Sequence, residues 1–355
     1  MKKFFKYSVL FILLFAIGFT IYFISVVQIA EPTPDDLSAL QWQVKEPKPG
    51  LTTIKGGWFR KSSSGLFEMF ISGNAFERGV TNGKLAEKLV VRQEEIFVAQ
   101  IRRIVPSETY LKFLKYLVGW FNKELPNHVP KEQLEEIYGV SQTFADDFDF
   151  IVPKYMRCLN YHAAHDIGHA LQDRNFTVGC TSFSAWDAKT KDGSMLVGRN
   201  FDFYIGDEFA EEKIVNFVSP DRGYKLMFVT WGGFTGAVSG MNETGLSVTI
   251  NASKSDYPTG AATPIALVAK EILQYASTIE EAYAIARTRE TFVSESIMVA
   301  SANDRRTAII EKSPTKIDLH STDNNYIICA NNFQSDTFKN DSLNIKNIRT
   351  SSSQY

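Results

Sequence analysis

Histidine and cysteine are both scarce in this chain, whose 355 residues include 5 of the first and 3 of the second. With three cysteines at least one stays unpaired, so a pairing of Cys158 with Cys329 would leave Cys180 free. Excess charge of one sign is lacking too. A formal net charge of −2, with no run of like charges, supplies no electrostatic reason to bind nucleic acid. No internal repeat or low-complexity segment stands out. No G-x-S-x-G elbow occurs, and His320 is the only histidine after Cys180, which removes the usual basis for Ser–His–Asp chemistry. What remains is a globular composition, 44% hydrophobic and 22% charged, long enough for one large domain or two ordinary ones.

The first strong positive signal is N-terminal. Lys2, Lys3 and Lys6 precede an uncharged run from Tyr7 to Ala30, longer than the roughly 20 residues that cross a bilayer. The lysines favour a cytoplasmic N-terminus, which places everything after Ala30 outside. No small-x-small cleavage site closes the run, so an uncleaved membrane anchor is preferred to a signal peptide followed by secretion. EPTPDD and EPKPG then read as a Pro-rich tether. The expected segments are 1–30 anchor, 31–71 linker, 72–179 helical leader and 180–355 body.

Two halves differ in pattern. From about Lys84 to Arg174, apolar residues recur at three- and four-residue spacing, as in LAEKLVVRQEEIFVAQIRRIV, and Pro130 suits the start of the third helix. From Cys180 onward strands and turns dominate. TSFSAWDA and SMLVGRNFDF flank KTKDG as a hairpin; GLSVTIN, SIMVASA, TAIIEK and NYIICANNF read as further strands. Two helices interrupt them, the second opened by Thr278 with Glu281 three residues on. The change of pattern falls at Gly179–Cys180.

His162, His165 and His169 stand at i, i+3 and i+7, one face of a helix, where they either pack the helix against the body or hold zinc. HAAHDIGH is not the HExxH pattern, and structure is the favoured reading. Cys180 is an inert buried thiol or a nucleophile in need of a base. Cleavage of the Gly179–Cys180 bond would supply one, because an α-amine with a pKa of about 7.7–8.0 suits proton transfer from a thiol.

The surrounding blocks favour the nucleophile. GCTSFSAWDAKTKDGSMLVGRNFDF, MNETGLSVTIN and YIICANNF, with GNAFERGVTNGKLAEKL and NYHAAHDIGHALQ upstream, resemble in order the Ntn (N-terminal nucleophile) hydrolases of the penicillin acyltransferase, choloylglycine hydrolase and N-acylethanolamine amidase type. The resemblance implies an α+β fold, a four-layer αββα sandwich preceded by the leader and the transmembrane helix. It implies Cys180 as nucleophile and self-processing residue, Arg199 beside the thiolate and Asp202 on the α-amine. Asn251 and Asn331 would be the oxyanion donors, with Asn332 a competitor for the second place. The implied reaction acts on linear amides through an acyl-thioester and needs no cofactor and no metal. The resemblance implies a small-molecule amide or acyl substrate, with leader and body staying together after the cut; the membrane is the partner implied by the N-terminal apolar run. In that family the body continues past the asparagine block, so a chain ending at Tyr355 is expected to be incomplete there. The competing readings are a membrane-tethered binding module with an inert cysteine and a zinc hydrolase using His162, His165 and His169.

Overall fold

The computed structural model describes residues 2–164, 166, 179–203, 207–257 and 260–351. Helix α1 (Lys2–Val26) is followed by four strands, β1 (Lys45–Lys48), β2 (Leu51–Ile54), β3 (Gly57–Lys61) and β4 (Phe67–Gly73). The segment expected as linker thus builds sheet, because FEMFISG alternates sides: Met69 and Ile71 enter the core. The EPTPDD tether does not hang free either, since Ile29 is buried in the main core and Ala39 packs against Phe76.

Among the described residues six helices form the leader: α2 (Ala75–Leu85), α3 (Glu87–Ile104), α4 (Glu108–Asn122), α5 (Leu125–His128), α6 (Lys131–Ser141) and α7 (Lys154–His162). Asn74 and Glu77 open α2 with a capping box: Asn74 Oδ1 accepts from Glu77 N at 2.9 Å, and Glu77 Oε2 accepts from Asn74 N at 3.0 Å. Pro130 caps α6, as its position predicts. Helices α2 and α6 touch backbone to backbone at Gly79 and Gly139, where a Cβ on Gly79 would lie 2.1 Å from the Glu136 carbonyl oxygen. Only glycine fits there.

The body contributes β5 (Thr181–Asp187), β6 (Gly193–Asn200), β7 (Ile214–Pro220), β8 (Leu226–Thr230), β9 (Ser239–Asn242) and β10 (Leu246–Ala252). Helices α8 (Ile265–Tyr275) and α9 (Ile279–Thr288) follow, then β11 (Glu295–Ser301), β12 (Arg306–Lys312), β13 (Ile317–Ser321), β14 (Tyr326–Cys329) and α10 (Ser342–Ser351). The predicted cap of α9 is present, Thr278 Oγ1 accepting from Glu281 N at 3.2 Å, but the Glu281 carboxylate turns to Ser277 N. β6 stops at Asn200, short of the predicted Phe203.

Eleven strands make one sheet in the order β1-β2-β3-β4-β7-β8-β9-β10-β11-β12-β13. Leader and body join in it through the parallel pairing of β4 with β7, Phe67 opposite Ile214 through Gly73 opposite Pro220. The second sheet has three strands, β14-β5-β6. Period-2 alternation in β10–β12 sends Ile250, Ile297 and Ile310 to a core shared with α8, and Met298 and Ile309 to a smaller core under Trp186, Ile327 and Cys329. Helices, large sheet and small sheet are therefore stacked in three layers among the described residues. This is the expected sandwich in part only, because Phe183, Leu196, Tyr326 and Ile328 on the outer face of the small sheet are exposed.

A buried charge cluster ties the leader to the body. Fully buried Arg78 (α2) donates to Glu136 Oε2 (α6) at 2.9 Å and to Glu132 Oε1 at 2.9 Å, while Lys270 (α8) donates to Glu136 Oε1 at 2.6 Å. Burial alone would raise the Glu136 pKa; Lys270 and Arg78 overcome it and hold the carboxyl below its usual value.

Candidate active site

Cys180 begins the small sheet. It lies between half-exposed Gly179 and strand β5, and is itself buried. Its backbone N–H donates to Asn331 Oδ1 at 2.8 Å, and Asn331 Nδ2 in turn donates to the Ala252 carbonyl at 2.8 Å. Asn331, just past β14, bridges the end of β10 to the start of β5. Asn332 turns the other way, its Nδ2 donating to the Phe333 carbonyl at 3.4 Å. The loop carrying Asn331 is pinned on both sides. Glu311 accepts from Ser335 N at 2.9 Å, Asn344 of α10 accepts from Phe333 N at 2.9 Å, and Asn347 donates to the Asn331 carbonyl.

Arg199, next to last in β6, reaches across to the large sheet. It donates to the Val238 carbonyl at 2.7 Å, Ser239 Oγ at 2.6 Å and the Ile250 carbonyl at 2.8 Å. Among the described residues its Nε has no hydrogen-bond partner. Burial pushes the Cys180 thiol up, and the Arg199 guanidinium opposes that shift. The guanidinium also meets the Cys180 thiol, a weak hydrogen-bond acceptor while neutral and a stronger one when ionised.

Asp202 lies beyond the end of β6 and is exposed. Its carboxylate accepts from Asn200 Nδ2 at 2.8 Å, its carbonyl accepts from Gly179 N at 3.3 Å, and its own N–H faces the Cys180 sulfur. Its carboxylate is therefore engaged by Asn200 and not by Cys180 N. Asn251 is fully buried between the sheets. Its Oδ1 accepts from Ser182 Oγ at 2.8 Å and its Nδ2 donates to the Cys329 carbonyl at 3.1 Å. Each of the two asparagines uses one of its two amide hydrogens here.

Two carboxyl groups near this cluster have only faint sequence signals. Glu295, between two serines at the start of otherwise apolar β11, is fully buried, and burial together with Asp166 pushes its pKa well above the usual range while Arg199 opposes. Asp166 accepts from Ile265 N at 3.0 Å, so a leader residue caps body helix α8. A charged residue inside an apolar strand was the available clue for Glu295. For Asp166 there was none.

The histidine face and the disulfide resolve differently. His162 Nε2 accepts from Thr235 N at 2.9 Å, which leaves Nδ1–H to donate to the Cys158 carbonyl at 2.7 Å. Both ring nitrogens are engaged, and burial lowers its pKa to about 4. His165 and His169 lie outside the described residues, and no metal-ligand cluster occurs among the described ones. All three cysteines are free. The Cys158–Cys329 pairing does not form: Cys158 sits in α7 against the Gly233 carbonyl, and Cys329 ends β14 between the sheets.

Comparison with known proteins follows the same blocks. Residues 188–355 match the family described as acyl-coenzyme A:6-aminopenicillanic acid acyl-transferase, so the resemblance to the penicillin-acyltransferase type holds over that stretch. An uncharacterized protein of Archaeoglobus fulgidus is 26% identical over 286 residues, covering 76% of this chain and 47% of that protein. The chain thus spans about half the length of that curated relative. Among solved structures, a Caenorhabditis elegans N-acylethanolamine-hydrolyzing acid amidase ortholog is 20% identical, with 50% of this chain and 80% of that chain covered at a TM-score of 0.36. A mutant conjugated bile acid hydrolase from Clostridium perfringens is 16% identical, with 45% and 55% covered at a TM-score of 0.33.

Proposed function

We propose, from the premise that residues 188–355 carry the pattern of the acyl-coenzyme A:6-aminopenicillanic acid acyl-transferase family, that this chain is an Ntn-type amide hydrolase or acyltransferase with Cys180 as its nucleophile. The observation that carries the reading is the 2.8 Å hydrogen bond from Cys180 N to Asn331 Oδ1. It is the backbone nitrogen of the cysteine, the atom that becomes the α-amine, which the site holds.

Two steps follow. In self-processing, the Cys180 sulfur attacks the Gly179 carbonyl, the C–N bond breaks, and the Cys180 nitrogen takes the thiol proton. Water then hydrolyses the resulting thioester and frees the leader. In turnover, the α-amine takes the thiol proton and the thiolate attacks a linear amide. The amine product leaves with a proton, and water or a second amine resolves the acyl-thioester. Arg199 Nε steadies the thiolate, Asn331 orients the α-amine, and the second amide hydrogens of Asn331 and Asn251 face the developing oxyanion. Asp202 takes the new amine once Gly179 has gone.

The acyl group is expected to be apolar. Phe203, one residue past Asp202, lines a cavity with Val90, Phe97 and Phe144 of the leader and Phe209 and Trp231 of the body. Leader and body therefore act as one unit after the cut, joined by the β4–β7 pairing and the Arg78 cluster. Helix α1 is the anchor that keeps this unit outside the cytoplasm. No residue of its apolar span Phe4–Phe23 is buried in the fold.

N-terminal sequencing of purified protein tests the mechanism. The expected result is a second terminus beginning Cys-Thr-Ser-Phe, two bands on a denaturing gel, and loss of both the cut and thiol-probe labelling in Cys180→Ala. A wild-type chain that stays intact with an unreactive Cys180 would favour the inert binding module and end the enzyme reading.

A further inference from the structure

Helix α1 does not leave the body on a loose leash. Val27 and Ile29 directly after it are buried, and a Cβ on Gly119 of α4 would lie 3.0 Å from Val27 Cβ. The contact continues into the apolar span itself: the ring of Phe23 stacks on Trp120 at 5.3 Å and meets Tyr116 at 6.4 Å. Phe23 lies three residues inside the end of α1, roughly 4–5 Å along its axis at 1.5 Å per residue. Any bilayer that α1 crosses therefore comes up to α4.

α4 has the surface for it. Tyr110, Val118, Trp120 and Phe121 are 52%, 41%, 40% and 45% exposed. Lys123 Nζ sits 4.0 Å over the Trp120 ring, a cation and an aromatic at one helix end. Aromatic rings beside basic groups suit the boundary between headgroups and acyl chains, where an amphipathic helix lies about 5–10 Å deep. We propose that α4 docks in the surface of the lipid bilayer that α1 crosses, holding the catalytic body flat against the membrane. Phe121 also lines a narrow cleft with Ala163, Asp166, Ala262 and Phe292.

The proposal rests on α1 being an anchor, and the test separates the two. Full-length chain is reconstituted in phosphatidylcholine vesicles with and without lipid brominated high on the acyl chain. Tyr110→Trp in a Trp120→Phe background is compared with Trp120→Phe alone. Position 110 is ten residues from 120, about 15 Å along the helix, so it is quenched only if α4 lies along the membrane and not merely at the exit of α1. Docking predicts that bromolipid lowers the added tryptophan's emission about twofold or more, while aqueous iodide leaves it nearly unchanged. Quenching by iodide and not by bromolipid overturns docking. Alkaline carbonate extraction reads the anchor independently. Retained but unquenched chain sinks docking alone, extracted but quenched chain sinks the anchor alone, and extracted, unquenched chain sinks both. Should Tyr110→Trp fail to fold, Val118→Cys in a Cys180→Ala background gives a second readout. Its environment-sensitive fluorophore is expected to shift to the blue on adding vesicles, and no shift overturns docking.

Discussion

Two buried polar regions in this molecule each hold a buried arginine and behave differently. Around Arg78, Glu136 and Lys270, charges of both signs converge from α2, α6 and α8 at hydrogen-bond distance. Around Cys180, one guanidinium bonds mainly backbone carbonyls and stands beside two thiols, and its Nε has no hydrogen-bond partner among the described residues. Groups that answer one another make a joint. A donor that faces a thiol makes only a weak hydrogen bond while the thiol is neutral and a stronger one to a thiolate.

That contrast can be broken from either side. The largest effect is expected at Cys180, the proposed nucleophile, where Cys180→Ala should reduce self-cleavage and amide turnover to background while thermal stability holds; gel analysis and calorimetry read the two separately. Next comes the joint. Glu136→Gln leaves Arg78 and Lys270 buried without their shared counter-ion and should cost about 3–5 kcal/mol in urea unfolding. Because the folded Glu136 pKa is depressed, its contribution is present above the ordinary carboxyl pKa and fades as pH falls through the lower folded value. Asn331→Ala should then slow acyl-thioester formation by about 10²–10³-fold, as loss of a preorganised donor does, whereas Asn332→Ala should stay within about threefold. Equal effects at both positions would undo the assignment.

His162 offers a pH test of the leader–body packing. Its folded pKa is lowered to about 4 from 6.5, because the buried ring is held neutral. Stability should be insensitive to this group above pH 6.5 and should fall by about 3 kcal/mol as pH drops from 6.5 to 4, since the unfolded chain takes the proton first. His162→Gln should flatten that segment of the stability–pH curve. The smallest effect is at the surface of the joint. Asn74→Ala removes half of the α2 capping box and should cost about 1 kcal/mol, with cleavage unaffected.

Much of this site was legible in the chain because it depends on local order. Cys180 heads a strand, the hairpin KTKDG returns Arg199 opposite Ser182, and the second helix of the body opens at Thr278 as its spacing requires. Elsewhere local pattern misled. Residues 45–61 are short, charged and Pro-containing, so they read as linker, yet neighbouring strands recruit them to the sheet edge. Glu295 and Asp166, which face one another from body and leader, are 129 residues apart in the chain, and no periodicity reports such a meeting.

The sequence by itself determined the elements: the apolar N-terminal helix, the helical leader, the strand-rich body and a cysteine at the junction. Periodicity and turn chemistry act over a few residues, so they can be read without knowing the fold. Only the tertiary structure decided which asparagine faces Cys180, that Asn251 is clasped between the sheets, that β4 joins β7, and that α4 stands against the foot of α1. Those pairings are settled by burial and by the need to satisfy each buried donor, and both depend on where distant segments come to rest.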